Sequence, residues 1–329
     1  MLKNKHRWLL IGSFALAFFV VAAVFGIGQL VKPPKTEITE KHFPTASFDK
    51  GTITSGQNAG SAEKLRATSA LTYESEVIET GQPKTNVIGI RWDQVGGDED
   101  VLAEIRTFDG KWSAWAGLSG TGGEDRPDNS AATHAGVIIT KNAQKVQYRL
   151  VINASADASI EITKPLITAI DATKGPEPTK QNKVAKFFGK LANAAPSGPR
   201  IYSRAEWGSP EPNSSPGWPP EYRTLNRVIV HHTAAVHNGF DPGGAIRGIW
   251  QYHTYTNGWG DIGYNYIVDI NGNIFQGRYY DETYARATNQ DVVGGHTYGN
   301  NYGTTGIAGR CLYIDVPIRR HPPDLAIRN

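Results

Sequence analysis

Cysteine is almost absent from this sequence: Cys311 stands alone in 329 residues. No intrachain disulfide can form, so the fold must stand on its packed core. Excess charge of one sign is equally scarce. The formal net charge is +3 and no basic run alternates with aromatic residues, which excludes nucleic acid as the partner. A helical bundle is disfavoured because 36 glycines and 19 prolines belong to loops and β-structure. What remains is 39% hydrophobic and 20% charged, ordinary globular composition in a chain long enough for about two domains.

One long apolar run is present. Residues 8–31 carry no charge and follow a short basic segment, residues 1–7, with Lys3, Lys5 and Arg7. The run is long enough to cross a ~30 Å hydrocarbon core as a helix. It exceeds the apolar region of a cleaved signal, and no clear small-x-small cleavage site follows it. An uncleaved transmembrane anchor is therefore expected, with the N-terminus inside and the bulk of the chain outside the cell membrane, or secreted if the segment is cleaved.

Residues 32–67 are rich in Pro, Thr, Lys, Ser and Gly without apolar periodicity and read as a tether. Over 68–171, short runs such as NVIGIRWDQV, VLAEIRTF, KVQYRLVINA and SIEITKPLITAI alternate or are β-branched, which predicts an all-β sandwich-like domain. Trp92, Trp112 and Trp115 in it read either as core aromatics or as a sugar-stacking face. Residues 172–199 form a linker with an amphipathic piece around Phe187, Phe188 and Leu191, a spacer or a membrane contact.

From about residue 200 the pattern becomes α/β. RVIVHHT predicts a buried strand. Ile246, Ile249, Trp250 and His253 recur at helical spacing behind the start signals Asp241 and Pro242. YNYIVDINGNIFQGR predicts two strands about Asn-Gly, and TTGIA opens a further strand. His231 and His232 adjoin on a strand, so their side chains point to opposite faces and at most one serves a given site. A histidine at the end of a buried strand can face a cleft at the sheet's C-terminal edge. Zinc accepts imidazole nitrogen and, in catalytic sites, keeps three protein ligands and one open position. Taken alone, a paired HH reads as structural more often than as metal-binding.

IYSRAEWG, VIVHHTA, QYH, GWGDIGYNYIVDINGNIFQGR and GGHTYGNN, in this order over about residues 200–308, resemble the peptidoglycan-recognition and type-2 N-acetylmuramoyl-L-alanine amidase family. The resemblance implies an α/β domain with a central mixed sheet and helices. It implies His231 as a zinc ligand and Tyr264 as the catalytic tyrosine beside the metal. His253, His296, Arg278 and Asp261 match substrate-binding positions, and His232 a packing position. The implied reaction cleaves the amide between N-acetylmuramic acid and L-alanine of peptidoglycan with a Zn2+-activated water, Tyr264 donating to the developing oxyanion. Ala308 stands where some relatives place a catalytic glutamate.

The resemblance stops near residue 308. The family's remaining ligands lie in a motif like H-R-D followed by C-P-G, which is missing from the atypical tail 309–329. Cys311 and His321 occur there in reversed order. A C-terminally truncated, incomplete domain is the expectation, and with it an alternative function: a non-catalytic peptidoglycan-binding module, or an inactive form, of the same fold.

Overall fold

The computed structural model describes residues 34–97, 100–118, 132–154, 159–180, 199–235, 241–288, 290–297 and 299–310. The expected membrane anchor, the amphipathic piece at 183–194, Cys311 and His321 lie outside the described residues. Among the described residues no helix is long and apolar enough to cross a membrane.

The described chain is mostly sheet. Its first strands are β1 Glu37–Pro44, β2 Thr52–Ser55, β3 Lys64–Ala67, β4 Ala70–Glu74, β5 Ile78–Glu79 and β6 Val87–Val95. There follow β7 Val101–Phe108, β8 Ala116–Gly117, β9 Ala132–Ile139, β10 Lys145–Asn153 and β11 Ile160–Lys174. Beyond residue 200 come β12 Ile201–Tyr202, β13 Tyr222–Arg223, β14 Arg227–Ala235 and helix α1 Pro242–Gln251. The described part closes with β15 Tyr266–Val268, β16 Ile274–Gln276, helix α2 Glu282–Thr288, β17 Asp291–Val292 and β18 Thr304–Arg310.

A smaller sheet runs β2-β4-β10-β7-β8, and a larger one runs β1-β11-β6-β9-β14-β18-β15-β16-β12. Alternation explains how they share a core. Ile88, Ile90 and Trp92 of β6 pack with Leu71 and Tyr73 of β4, Ile105 of β7 and Tyr148, Leu150 and Ile152 of β10. The other face of the larger sheet packs on the helical segment, where Val87, Ile170 and Ala172 meet Tyr252. β6 is therefore buried on both faces, as its unbroken apolar start requires. Gly89 makes the closest approach: a Cβ there would lie 1.9 Å from the Tyr252 ring. The Tyr252 hydroxyl donates to the Ile90 carbonyl at 2.7 Å.

Residues 36–67, read from composition as a tether, carry three strands. β1 pairs antiparallel with β11, and β3 with the start of the same long strand. Composition missed them because edge strands keep exposed polar residues, as the β1 pattern does. The expected boundary between β-rich and α/β parts is likewise no break in hydrogen bonding. Ala234 and Ala235 of β14 pair in parallel with Ile138 and Ile139 of β9, and the described residues from Thr36 onward belong to one compact unit.

Packing places Trp92, but not Trp112 or Trp115, in the core. Trp92 is 3% exposed, stacks on His134 at 5.4 Å and donates to Gln94. Trp112 and Trp115 are half-buried, and guanidinium groups cover them: Arg106 lies 4.8 Å and 4.6 Å from the two rings and Arg149 lies 4.6 Å from Trp115.

Helix α1 starts where the sequence places its signals. The Asp241 carboxylate accepts from Gly244 N–H at 2.7 Å, and Pro242 occupies the first turn. The helix continues as one π-helical turn, Tyr252–Thr256, closed by Asn257 N–H donating to the Tyr252 carbonyl. That turn sets His253 back into the core.

Candidate functional site

Five rings from separate segments meet in a row. His231 on β14 has its Nε2 3.0 Å from Nδ1 of His296, which precedes β18. The His231 ring lies 5.8 Å from that of Tyr264, which leads into β15. Tyr264 is 5.5 Å from His253 of the π turn, and His253 is 4.5 Å from Trp259. The parallel register explains how β14 and β18 bring the site together: His231 pairs with Ala308 and Ile229 with Gly306. His232 is exposed, its Cβ directed to the other face by strand alternation.

Burial sets the protonation of these groups. Desolvation lowers the His231 imidazole, with the neighbouring His232 adding to the effect. His296 is pushed down to about 4, first by burial and then by His231. His253 falls to about 3 through burial, opposed by the Asp261 charge. Desolvation also pushes the half-buried Tyr264 phenol up to about 12. At neutral pH the row holds uncharged imidazoles and a protonated phenol, a set of neutral donors and acceptors.

Three residues that the resemblance gives to substrate binding are buried. His253 is 4% exposed and its Nδ1 accepts from Gly263 N–H at 3.2 Å, so it supports the Tyr264 loop from behind. Asp261 and Arg278 are fully buried and bonded to each other at 2.9 Å. Asp261 also accepts from Arg204 at 3.0 Å, Trp250 Nε1 at 3.1 Å, and the Ile262 and Tyr279 amides. Arg278 spends its other hydrogens on Ser215 Oγ and the carbonyls of Trp218, Pro219 and Val293, with its guanidinium 3.9 Å from the Trp218 ring. This buried charge cluster pins the loop that presents Tyr264.

Several positioning residues carry no signal in the sequence reading. Asn265 Oδ1 accepts from Gly306 N–H and its Nδ2 donates to the Val292 carbonyl, tying β15, β17 and β18 together. Asn301 Oδ1 accepts from the amides of His296 and Thr297, both at 2.9 Å. Gly306 leaves room for the imidazole, since a Cβ there would lie 2.2 Å from the His296 ring.

The donor set decides how well zinc fits. A catalytic zinc keeps three protein ligands. Among the described residues no group of three or more His, Cys, Asp or Glu side chains gathers, and only His231 and His296 bring nitrogens together. The described residues do not complete the catalytic zinc set.

Comparison with known proteins supplies the lineage. No family model matches the chain. Peptidoglycan-recognition protein SC2 of Drosophila melanogaster is 31% identical over 110 residues, 32% of this chain and 58% of that protein. The N-acetylmuramoyl-L-alanine amidase of Homo sapiens is 32% identical over 114 residues, 33% of this chain and 18% of that protein. Over about a third of its length, the chain is similar to peptidoglycan-recognition proteins and N-acetylmuramoyl-L-alanine amidases.

The match to these family members is partial: the chain spans less than two thirds of the length of either. Among solved structures, peptidoglycan-recognition protein LE in complex with tracheal cytotoxin is 29% identical, with a TM-score of 0.27, covering 33% of this chain and 59% of that one. Bumblebee PGRP-SA is 27% identical with a TM-score of 0.28 over 34% of this chain. Scores this low do not define a fold.

Proposed function

We propose that this chain is an exported peptidoglycan-binding protein, tethered by residues 8–31, whose site at His231, Tyr264 and His296 holds the junction between N-acetylmuramic acid and its stem peptide. The observation carrying this reading is the convergence of those three side chains from separate segments. It is supported by relatives named for peptidoglycan recognition. Being uncharged at neutral pH, the site matches the neutral hydroxyl and amide groups of that junction better than the carboxylates of the stem. The sandwich-like part at 68–171 serves in this reading as the support on which the site is mounted.

A second reading is hydrolysis of the muramoyl–alanine amide, as in a relative named N-acetylmuramoyl-L-alanine amidase. One observation favours it: Tyr264 stays protonated beside His231, so its hydroxyl is poised to donate to an oxyanion. Against it stand the remaining metal ligands, which the described residues do not supply beside His231.

The test measures binding and cleavage on one substrate. Purified muramoyl-peptide is titrated into the full chain by calorimetry, and new L-alanine amino termini are counted in parallel. Saturable binding that His231→Ala and Tyr264→Phe weaken, without new termini, supports recognition. New termini lost in His231→Ala establish hydrolysis, and no binding at all defeats both readings.

A further inference from the structure

We infer that the outer side of β14, β18, β15, β16 and β12 is a self-association surface whose occupant is a second copy of this chain. Registers across these strands align His232, Gly309, Val268, Ile274 and Ile201 in one row. A second row starts at Val230 and Ile307 and ends at Gln276. Strand alternation turns both rows away from helix α1, since Ala308, Ile267 and Phe275 pack with Ile246 and Trp250 on the opposite side. No Asp, Glu, Lys or Arg stands in either row.

β14 and β18 are interior strands of the larger sheet, yet Val230 is 74% exposed and Val228 56%. A sheet with one side in water normally turns polar side chains to that side. This one turns branched apolar groups outward and no charge. Among the described residues neither helix shields them: α1 packs on the other side, and α2 leans on Tyr222 through Tyr284. Contiguous exposed apolar surface of this kind marks an interaction site.

The occupant must itself be flat, apolar and uncharged, because a charge brought against these rows would lose its water without gaining a partner. The face meets that demand for itself. Two copies related by a two-fold axis stack sheet on sheet at about 10 Å, each apolar row against its equivalent, with no charge trapped between them. At about 4.8 Å between strands and about 6.8 Å between rows, the patch with its neighbours Val228 and Ile270 spans roughly 400 Å2 per copy. That area is too small for a permanent dimer and belongs to the class of reversible association.

The test is sedimentation equilibrium of the full-length chain in density-matched detergent. Wild type is expected to show a monomer–dimer equilibrium in the micromolar range. Val230→Lys sets an ammonium group from each copy into the contact and weakens the dimer at least about tenfold. Val230→Ala, which removes apolar surface without adding charge, weakens it less and guards against misfolding when thermal melts match wild type. Thr54→Lys, on the exposed β2 of the smaller sheet, leaves the dimer unchanged. A chain that stays monomeric up to about 0.1 mM overturns the inference. So does a dimer that both Val230 variants leave at wild-type strength, since it is then held elsewhere. A monomer whose Val230→Cys thiol takes up label only after residues 183–194 are deleted overturns it too, because the cover is then the chain's own segment.

Discussion

Asp261 and Arg278 face each other at 2.9 Å, and neither side chain reaches solvent. Arg204 completes the cluster from the other oxygen of the same carboxylate, at 3.0 Å. One carboxylate thus serves two buried guanidinium groups, which tie the segment after β12 to the end of the β15–β16 hairpin and to the loop before Tyr264.

Removing the carboxylate leaves two buried cations without a partner, the costly half of breaking a buried ion pair. Asp261→Ala is expected to destabilise the fold by about 3–5 kcal/mol in urea unfolding. At temperatures where the variant remains folded, its affinity for muramoyl-peptide stays within about twofold of wild type. A large affinity loss in a folded variant would return Asp261 to the substrate surface.

This cluster also marks where sequence reading stops. The Asp241-Pro242 helix start and the Asn271-Gly272 hairpin were legible because each rests on neighbours within a few residues; β14 was legible as a strand but not as the buried one expected, since Val228 and Val230 are 56% and 74% exposed. Gly272 takes a left-handed φ of 77° in the five-residue loop between β15 and β16. The buried placement of Asp261 and Arg278 was not legible, because the partners of a charge that pairs far along the chain carry no local signal and Arg204 lies 57 residues from Asp261. His231 and His296 are 65 residues apart, and only the parallel pairing of β14 with β18 brings them together. The β9–β14 pairing had no local signal, since parallel partners show no turn between them.

Gly89 and Tyr252 supply a second expectation. The Tyr252 ring occupies the space a Cβ at position 89 would need, so Gly89→Ala overpacks the contact between β6 and the π turn. The expected cost is about 1–3 kcal/mol in denaturant unfolding. Tyr252→Phe keeps the ring but loses the bond to the Ile90 carbonyl, costing about 1 kcal/mol. A fragment ending at residue 180 loses both Tyr252 and the β14 pairing. It should melt below the full chain and bind a hydrophobic dye; an equally stable fragment would make the β-rich part independent.

Gly306→Ala tests whether the position of the His296 ring matters to ligand. The added methyl displaces the ring from its seat on β18. Muramoyl-peptide affinity should fall at least about tenfold for a stability loss of about 1–3 kcal/mol. His232→Ala, on the exposed face of β14, should change neither. Unchanged affinity in Gly306→Ala would remove His296 from the ligand site.

Acid should loosen this fold through its buried imidazoles. His253 titrates at about 3 in the folded chain and His296 at about 4, both depressed from an ordinary 6.5, principally by burial. A base whose folded pKa is depressed leaves the unfolded chain holding more protons between the two values, so stability rises with pH across that window. The contribution is fully present above about pH 6.5 and is lost as pH falls toward 3. His253→Asn retains an acceptor for the Gly263 amide and cannot take up a proton. Its melting temperature at neutral pH should lie at or below that of wild type, yet fall less between about pH 7 and about pH 4.5. Carboxylates titrate in both proteins and cancel in the difference. Parallel melting curves across that range would mean His253 is protonated at its ordinary pH in the folded chain, and that the π turn does not shield it from water.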